Sequence, residues 1–318
     1  MNRYPRSFAV LMSLVACAVA CAQVETPPAA AKAEAPAEVK PQKWEFGISI
    51  RAVNGPCAGL MGTFPVPMDW PEQQVKVVNE DITKVARHSY RESDGLKQMV
   101  FEVPQLGTGE SATFFITLEI TKQPQVPPAD TASLVIPKDV PRDVRKYLLP
   151  SPLVESTSAK VRSLAKELTT GKETAWEQVQ GIAAGVREKI RFEQDGKNIM
   201  RGAGGALKDG KADKEDLTAT FVAMCRASKI PARMVWAMDY CYAEFYLSGA
   251  DGKGAWYPCV VHQDVELGAV KDVRPILEKG DNFRVPEDKA PQRFVKEFLT
   301  GKGGGVKPSV EFRRHRVD

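Results

Sequence analysis

Histidine is the scarcest chemistry-bearing residue in this chain. There are three in 318 residues, His88, His262 and His315. None has ligand-like spacing with a cysteine, so no metal centre is expected. The two glycine-rich stretches, GAGGALKDGKAD from Gly202 and GKGGG from Gly301, lack the G-x-x-x-x-G-K-[ST] order of a phosphate loop. Both are expected to be turns, and no cofactor is implied. The net charge is only +4, and no arginine-rich stripe occurs, so nucleic acid is not an expected partner. Beyond the N-terminus no apolar run is long enough to span a bilayer.

What is present begins with an export-like leader. MNRYPR is a basic segment, and SFAVLMSLVA is a short apolar one. LVAC, ending at Cys17, resembles the lipobox of bacterial lipoproteins, whose cysteine is acylated. AVAC at Cys21 is a second candidate, and ACA before Gln23 reads as an ordinary cleavage site. The expectation is a signal peptide over 1–16, lipidation of Cys17 and membrane attachment through that lipid in a bacterial cell envelope. The alternative is a soluble periplasmic or secreted chain. Residues 17–43 are rich in Ala, Pro, Glu and Lys and hold too few large apolar residues for a core, so a disordered tether is expected. In an oxidising compartment the remaining cysteines, 57, 225, 241 and 259, could form a disulfide.

From Trp44 to about Gln125 the pattern is strand-like. WEFGISIRAV, QVKVV, KQMVFEV and SATFFITLEIT alternate apolar and polar residues or are rich in β-branched and aromatic types. NGP, ESDG and QLGTGE separate them. A small antiparallel β-sandwich is expected over 44–130, with QPQVPPAD as the boundary. His88 carries no catalytic spacing and is expected to be exposed or at a core edge.

Val140–Ser151 reads as an extended or partly helical connector, and Ser158–Leu168 and Thr174–Arg191 as helices. Thr174 and Glu177 form a capping-box pattern. Trp176, Val179, Ile182, Ala183, Val186 and Ile190 follow at helical spacing. Asp213 can cap a further helix bearing Leu217, Phe221, Met224 and Cys225, which Pro231 ends. MVWAM reads as a buried strand, and CYAEFYL and AWYPCVV as a hairpin around SGADGKG. A short helix is expected near Pro291–Leu299, then a last strand, SVEFRRHR.

LTATFVAMCRASKIPAR, then CYAEFYL, then WYP resembles the transglutaminase-like superfamily of papain-related cysteine enzymes, over roughly Ser158 to Val261. RPILEKGDNFRVPE resembles a bacterial exported subgroup of it. The resemblance implies an α+β fold: the β-sandwich, then a transglutaminase-like domain over 131–318 of helices packed on an antiparallel sheet, with a C-terminal extension. It also implies a cysteine before E-D-L-T, a histidine two residues before the aromatic of Y-A-E-F, and an acid two after the proline of W-x-P. Those positions are Lys214, Tyr240 and Val260 here. A cysteine at a helix N-terminus is activated by the helix dipole. Lysine next to Glu215 and Asp216 is held protonated, tyrosine titrates near about 10, and valine orients nothing. The triad is therefore expected to be degenerate.

Pairing Tyr240 opposite Val260 would set Cys241 opposite Cys259, close enough for a disulfide or at least a contact, because opposed Cα atoms can lie about 4.5 Å apart. Glu215, Trp236, Tyr242 and Trp256 are candidates to line the old cleft, though aromatics equally suit a core. His262 and Asp264 are expected to be solvated. Three functions stay open. The first is an exported, catalytically silent module that binds a peptide, protein or wall polymer, or serves envelope assembly. The second is an amidase, acyl-transferase or cysteine-protease-like enzyme with relocated residues among Lys214, Glu215, Tyr240 and Cys241. The third is a purely structural surface lipoprotein. The sequence sets no oligomeric state.

Overall fold

The computed structural model describes Met1 and residues 39–84, 86–194, 200–264, 266–301 and 307–318. The leader, Cys17, Cys21, the tether as far as residue 38 and most of GKGGG lie outside these residues. Val39–Asp318 forms one compact unit.

Its first part supplies β1 (Gln42–Arg51), β2 (Cys57–Pro65), β3 (Gln73–Ile82), β4 (Arg87–Ser93), β5 (Leu96–Leu106) and β6 (Ser111–Lys122). The second supplies α1 (Arg142–Arg145), α2 (Ala159–Thr169), α3 (Ala175–Lys189), β7 (Arg191–Phe192), α4 (Gly202–Asp209), β8 (Lys211–Ala212) and α5 (Lys214–Ala227). Then come β9 (Ala232–Ala237), β10 (Tyr240–Ser248), β11 (Gly254–Cys259), β12 (Ile276–Lys279), β13 (Phe298–Thr300) and β14 (Ser309–Arg316).

One sheet has the order β14-β1-β6-β3, and a larger one runs β11-β10-β9-β12-β5-β2-β13, with β4 beside β5. The two face each other over a core that includes Phe46, Ile48, Phe64, Phe101 and Phe114. There the rings of Phe101 and Phe114 stack at 4.3 Å. This sandwich follows from alternation along β1 and β6, whose inward residues are apolar.

The sheet does not stop at the boundary expected at 130/131. β12 lies between β9 of the helical half and β5 of the sandwich. The junction needs a glycine: Gly95 sits at φ +83, and a Cβ there would fall 1.9 Å from the Lys279 carbonyl oxygen. The Lys279 N–H donates to the Gly95 carbonyl at 2.9 Å. β14 returns from the chain end to pair with β1 over eight positions. The C-terminal extension thus completes the N-terminal sheet instead of extending a separate domain.

The second core lies between α2, α3, α5 and one face of β9–β11. Ser158 caps α2, and Thr174 and Glu177 form the expected capping box on α3. Trp176 is buried, edge-on to Phe245 and Tyr257. Two local expectations fail. GAGGALKD is helix α4, because Gly202, Ala203 and Ala206 are small enough to bury there, and the Gly202 N–H finds the Asp216 carboxylate at 3.0 Å. Pro291–Leu299 is not helical, because Arg293 and Val295 are drawn inward to Asp216 and Glu278. β2 and β4 went unread: AGLMGTFP is broken by glycines, and RHSYRES is exposed along nearly its whole length.

Candidate functional site

The site is organised by the start of α5. Asp213 caps the helix, its carboxylate accepting the Asp216 N–H at 2.8 Å. Glu215 and Asp216 in the first turn offset the positive end of the helix dipole. Asp216 is buried and fully used: it accepts the N–H groups of Arg201 (2.8 Å) and Gly202 (3.0 Å) and the Arg293 guanidinium (3.3 Å). Arg293 also donates to the Glu215 carbonyl at 2.6 Å. The C-terminal segment is thereby bolted to the helix N-terminus.

Lys214 points across to the β9–β10 turn and donates to the Asp239 carbonyl at 2.8 Å. Asp239 holds φ +51, a left-handed conformation uncommon for a residue other than glycine. The Arg274 guanidinium reaches the same carbonyl at 3.4 Å and lies 4.7 Å from the centre of the Tyr240 ring. Tyr240 meets His262 edge-on at 5.3 Å and shares a buried cluster with Tyr242 and Val260. Lys214 thus reaches the backbone next to Tyr240, while Tyr240 and Val260 pack together in one cluster. Burial raises the Tyr240 phenol well above its ordinary range, with Asp272 adding to the shift.

His262 is the site residue that sequence reading placed wrongly. It is half-buried, its Nδ1 finds no partner among the described residues, and burial followed by Lys214 and Arg274 pulls its pKa down to about 4. The missing signal was the hairpin register. Ala243 pairs with Cys259, and continuing that register sets position 262 opposite Tyr240.

The same register removes the expected disulfide. Cys241 lies opposite Trp236, and Cys259 opposite Ala243; both are buried free thiols. The assumed pairing was wrong by two residues, a shift that keeps the facing but changes the partner. Burial pushes each thiol up to about 12, so neither is a thiolate near neutral pH.

Beside the start of α5 opens a cavity of about 870 Å³. Its walls include Leu153, Lys214, Glu215, Trp236, Cys241, Arg293 and Phe294. The Trp236 indole is fixed by its N–H to the Gly280 carbonyl at 2.9 Å, and its ring lies 5.1 Å from Phe294. Leu153, like Asp239, has positive φ, so two of the three non-glycine residues in that conformation among the described residues line this cleft. Burial raises the Glu215 carboxyl above its ordinary value, against the opposing pull of Arg293.

Of the four cleft candidates, Glu215 and Trp236 are there, and Tyr242 and Trp256 are not. Side chains alternate along β10, and Tyr242 is buried on the face turned away from α5. Trp256 sits farther along the hairpin, packed on Tyr147 and Tyr246, with the Arg233 guanidinium 4.0 Å from its ring. Arg293 and Phe294 were not foreseen as walls, because their segment read as a helix.

A helix whose N-terminus meets the edge of an antiparallel sheet defines the papain-like class of architecture. Within it, residues 162–260 match the model of the transglutaminase-like superfamily. No curated protein matches the chain by sequence. Among solved structures, a candidate cysteine protease from Cytophaga hutchinsonii superimposes with a TM-score of 0.55 at 14% identity, covering 87% of this chain and 91% of that one. The shared fold thus extends well beyond the matched region. A candidate protease from Parabacteroides distasonis aligns at 13% identity and TM-score 0.28, over 67% of this chain and 42% of that one. The periplasmic domain of TgpA from Pseudomonas aeruginosa gives 9% and 0.32, over 71% and 88%. These last two are too distant to bear on the fold.

Proposed function

We propose that this protein is an exported transglutaminase-like module that holds a peptide or wall-associated polymer in the cleft beside α5 without thiol catalysis. The observation that carries this reading is the Lys214 ammonium, which occupies the start of α5 and is spent on the Asp239 carbonyl at 2.8 Å. A thiolate nucleophile needs that place and the dipole behind it. The thiol on the cleft wall, Cys241, is buried and protonated. What remains is a large cleft with a fixed indole, a half-buried carboxylate and strained backbone on its walls, features that favour ligand binding.

Export and lipid anchoring through Cys17 rest on the leader sequence. Globomycin-sensitive processing and palmitate labelling that vanishes in Cys17→Ala would test them; unchanged labelling in that variant would move the anchor to Cys21. Binding is tested by titrating peptide and peptidoglycan fragments while following Trp236 fluorescence. Saturable quenching lost in Trp236→Phe and weakened severalfold in Glu215→Gln is expected. A protein that hydrolyses or transfers amides, and loses that activity in Cys241→Ala or Lys214→Ala, would establish the relocated-enzyme reading instead.

A further inference from the structure

Behind β10, on the face turned away from α5, lies a buried layer of charge. Lys279 donates to Glu72 and Glu244 at 2.6 Å each, Arg233 donates to Glu244 at 2.7 Å, and Arg274 pairs with Asp272 at 2.9 Å. With Lys122 the layer holds four cations against three carboxylates. Lys122 is the one left over. It ends β6, is 1% exposed, and its Nζ lies 5.3 Å from the centre of the Tyr242 ring with no hydrogen-bond partner among the described residues.

Two further buried donors in this layer are also unused among the described residues, the Trp70 indole N–H and the Tyr242 hydroxyl. Trp70 packs against the cluster containing Tyr242, and Lys279 Nζ stands 5.0 Å from its ring. The Gln125 side-chain oxygen, three residues along the chain from Lys122, is an orphaned acceptor. An ammonium offers three hydrogens, an indole one and a phenol one, and none of these has a partner among the described residues. A buried charge without a hydrogen-bond partner is costly; the Asp272 and Glu72 carboxylates attract Lys122 but are bonded to Arg274 and Lys279. Burial lowers the Lys122 pKa only to about 8, which leaves the group charged at neutral pH.

We propose that Lys122, with the Tyr242 hydroxyl and the Trp70 indole N–H, forms an internal site for a small monovalent anion of the halide class. The site lies apart from the cleft and does not depend on the binding reading. Its occupant joins the sandwich, through β6, to the back of the hairpin that carries Tyr240.

The test uses the chain from residue 22 onward, with chloride and bromide as probes. Thermal and denaturant unfolding are followed at constant ionic strength while sodium chloride replaces sodium gluconate. Above the dissociation constant, the unfolding constant is expected to fall about tenfold for each tenfold rise in chloride, as one site requires. Lys122→Met should abolish this dependence, and Tyr242→Phe should weaken it. Crystals grown in sodium bromide should give anomalous density beside Lys122 Nζ in the unaltered protein, a readout that survives even if Lys122→Met fails to fold. Superposed unfolding curves in the two salts, or ordered water without bromide at Lys122, would overturn the proposal.

Discussion

The start of α5 and the cleft beside it share walls but are finished differently. At the corner, Lys214, Tyr240 and Val260 are packed or bonded: an ammonium on a carbonyl, a phenol against Arg274 and His262, and an isopropyl group in a buried cluster. A few residues away, Trp236, Glu215 and Phe294 border about 870 Å³ of open space. The helix start carries its cap, its buried Asp216 and the Arg293 bolt. On the proposed reading, only the reacting groups are replaced. A module that had become purely structural has no physical need to keep the cleft open, and this contrast favours retained binding.

The comparison can be broken at its shared hinge. Asp216→Ala removes the acceptor for two backbone N–H groups and leaves the buried Arg293 uncompensated, so a loss of about 3–5 kcal/mol is expected in denaturant unfolding. Arg293 should then release both the helix start and the cleft wall. If Asp216→Ala unfolds like the parent protein, the two regions are not held by one device.

The next effect comes from behind the hairpin. The folded pKa of Lys122 is depressed, to about 8 from an ordinary 10.5, so between those values the unfolded chain binds more protons and stability rises with pH. Glu72, Asp272, Lys279, Arg274 and Tyr242 face it. Buried thiols and phenols with raised pKa act in the opposite sense. The measurable quantity is therefore the difference from Lys122→Met, expected to be up to about 3 kcal/mol in chloride-free buffer. A difference that stays flat across that window contradicts the burial of an ammonium without a hydrogen-bond partner.

His262 gives a smaller, acid-side effect at the corner itself. Its folded pKa is lowered to about 4 from 6.5, so stability is lost as pH falls through that interval. Allowing for solvent screening of a half-exposed ring, about 1–2 kcal/mol is expected. His262→Gln should remove that part of the slope, and an unchanged profile would place the ring in solvent. Smallest of all, Lys214→Met should change stability by no more than about 1 kcal/mol. It loses one partly exposed hydrogen bond but also removes a cation from the positive end of a helix.

The parts of this arrangement encoded locally were legible. Asp213 as cap, the Thr174–Glu177 box, the buried MVWAM strand and the hairpin around SGADGKG all express short-range rules, and each is present. Lys214, Tyr240 and Val260 came from a resemblance; Tyr240 and Val260 share one cluster, and Lys214 reaches the carbonyl of Asp239 beside Tyr240. What stayed hidden depends on register and distance. A shift of two residues between β10 and β11 hid the Tyr240–His262 contact and suggested a disulfide that the strands do not allow. Arg293, 77 residues from Asp216, left no local sign of its partner. Nor did β12, which joins two halves that proline-rich sequence seemed to separate.

The most direct measurement puts the absent groups back. Lys214→Cys alone and Lys214→Cys combined with Tyr240→His and Val260→Asp would be compared by the pH dependence of alkylation at the introduced thiol. The account predicts that the combined variant yields a thiol titrating well below the ordinary value of about 8.5 and reacting at least tenfold faster at pH 6 than the single variant. Identical titration curves in folded proteins would show that these three positions never formed one reaction centre.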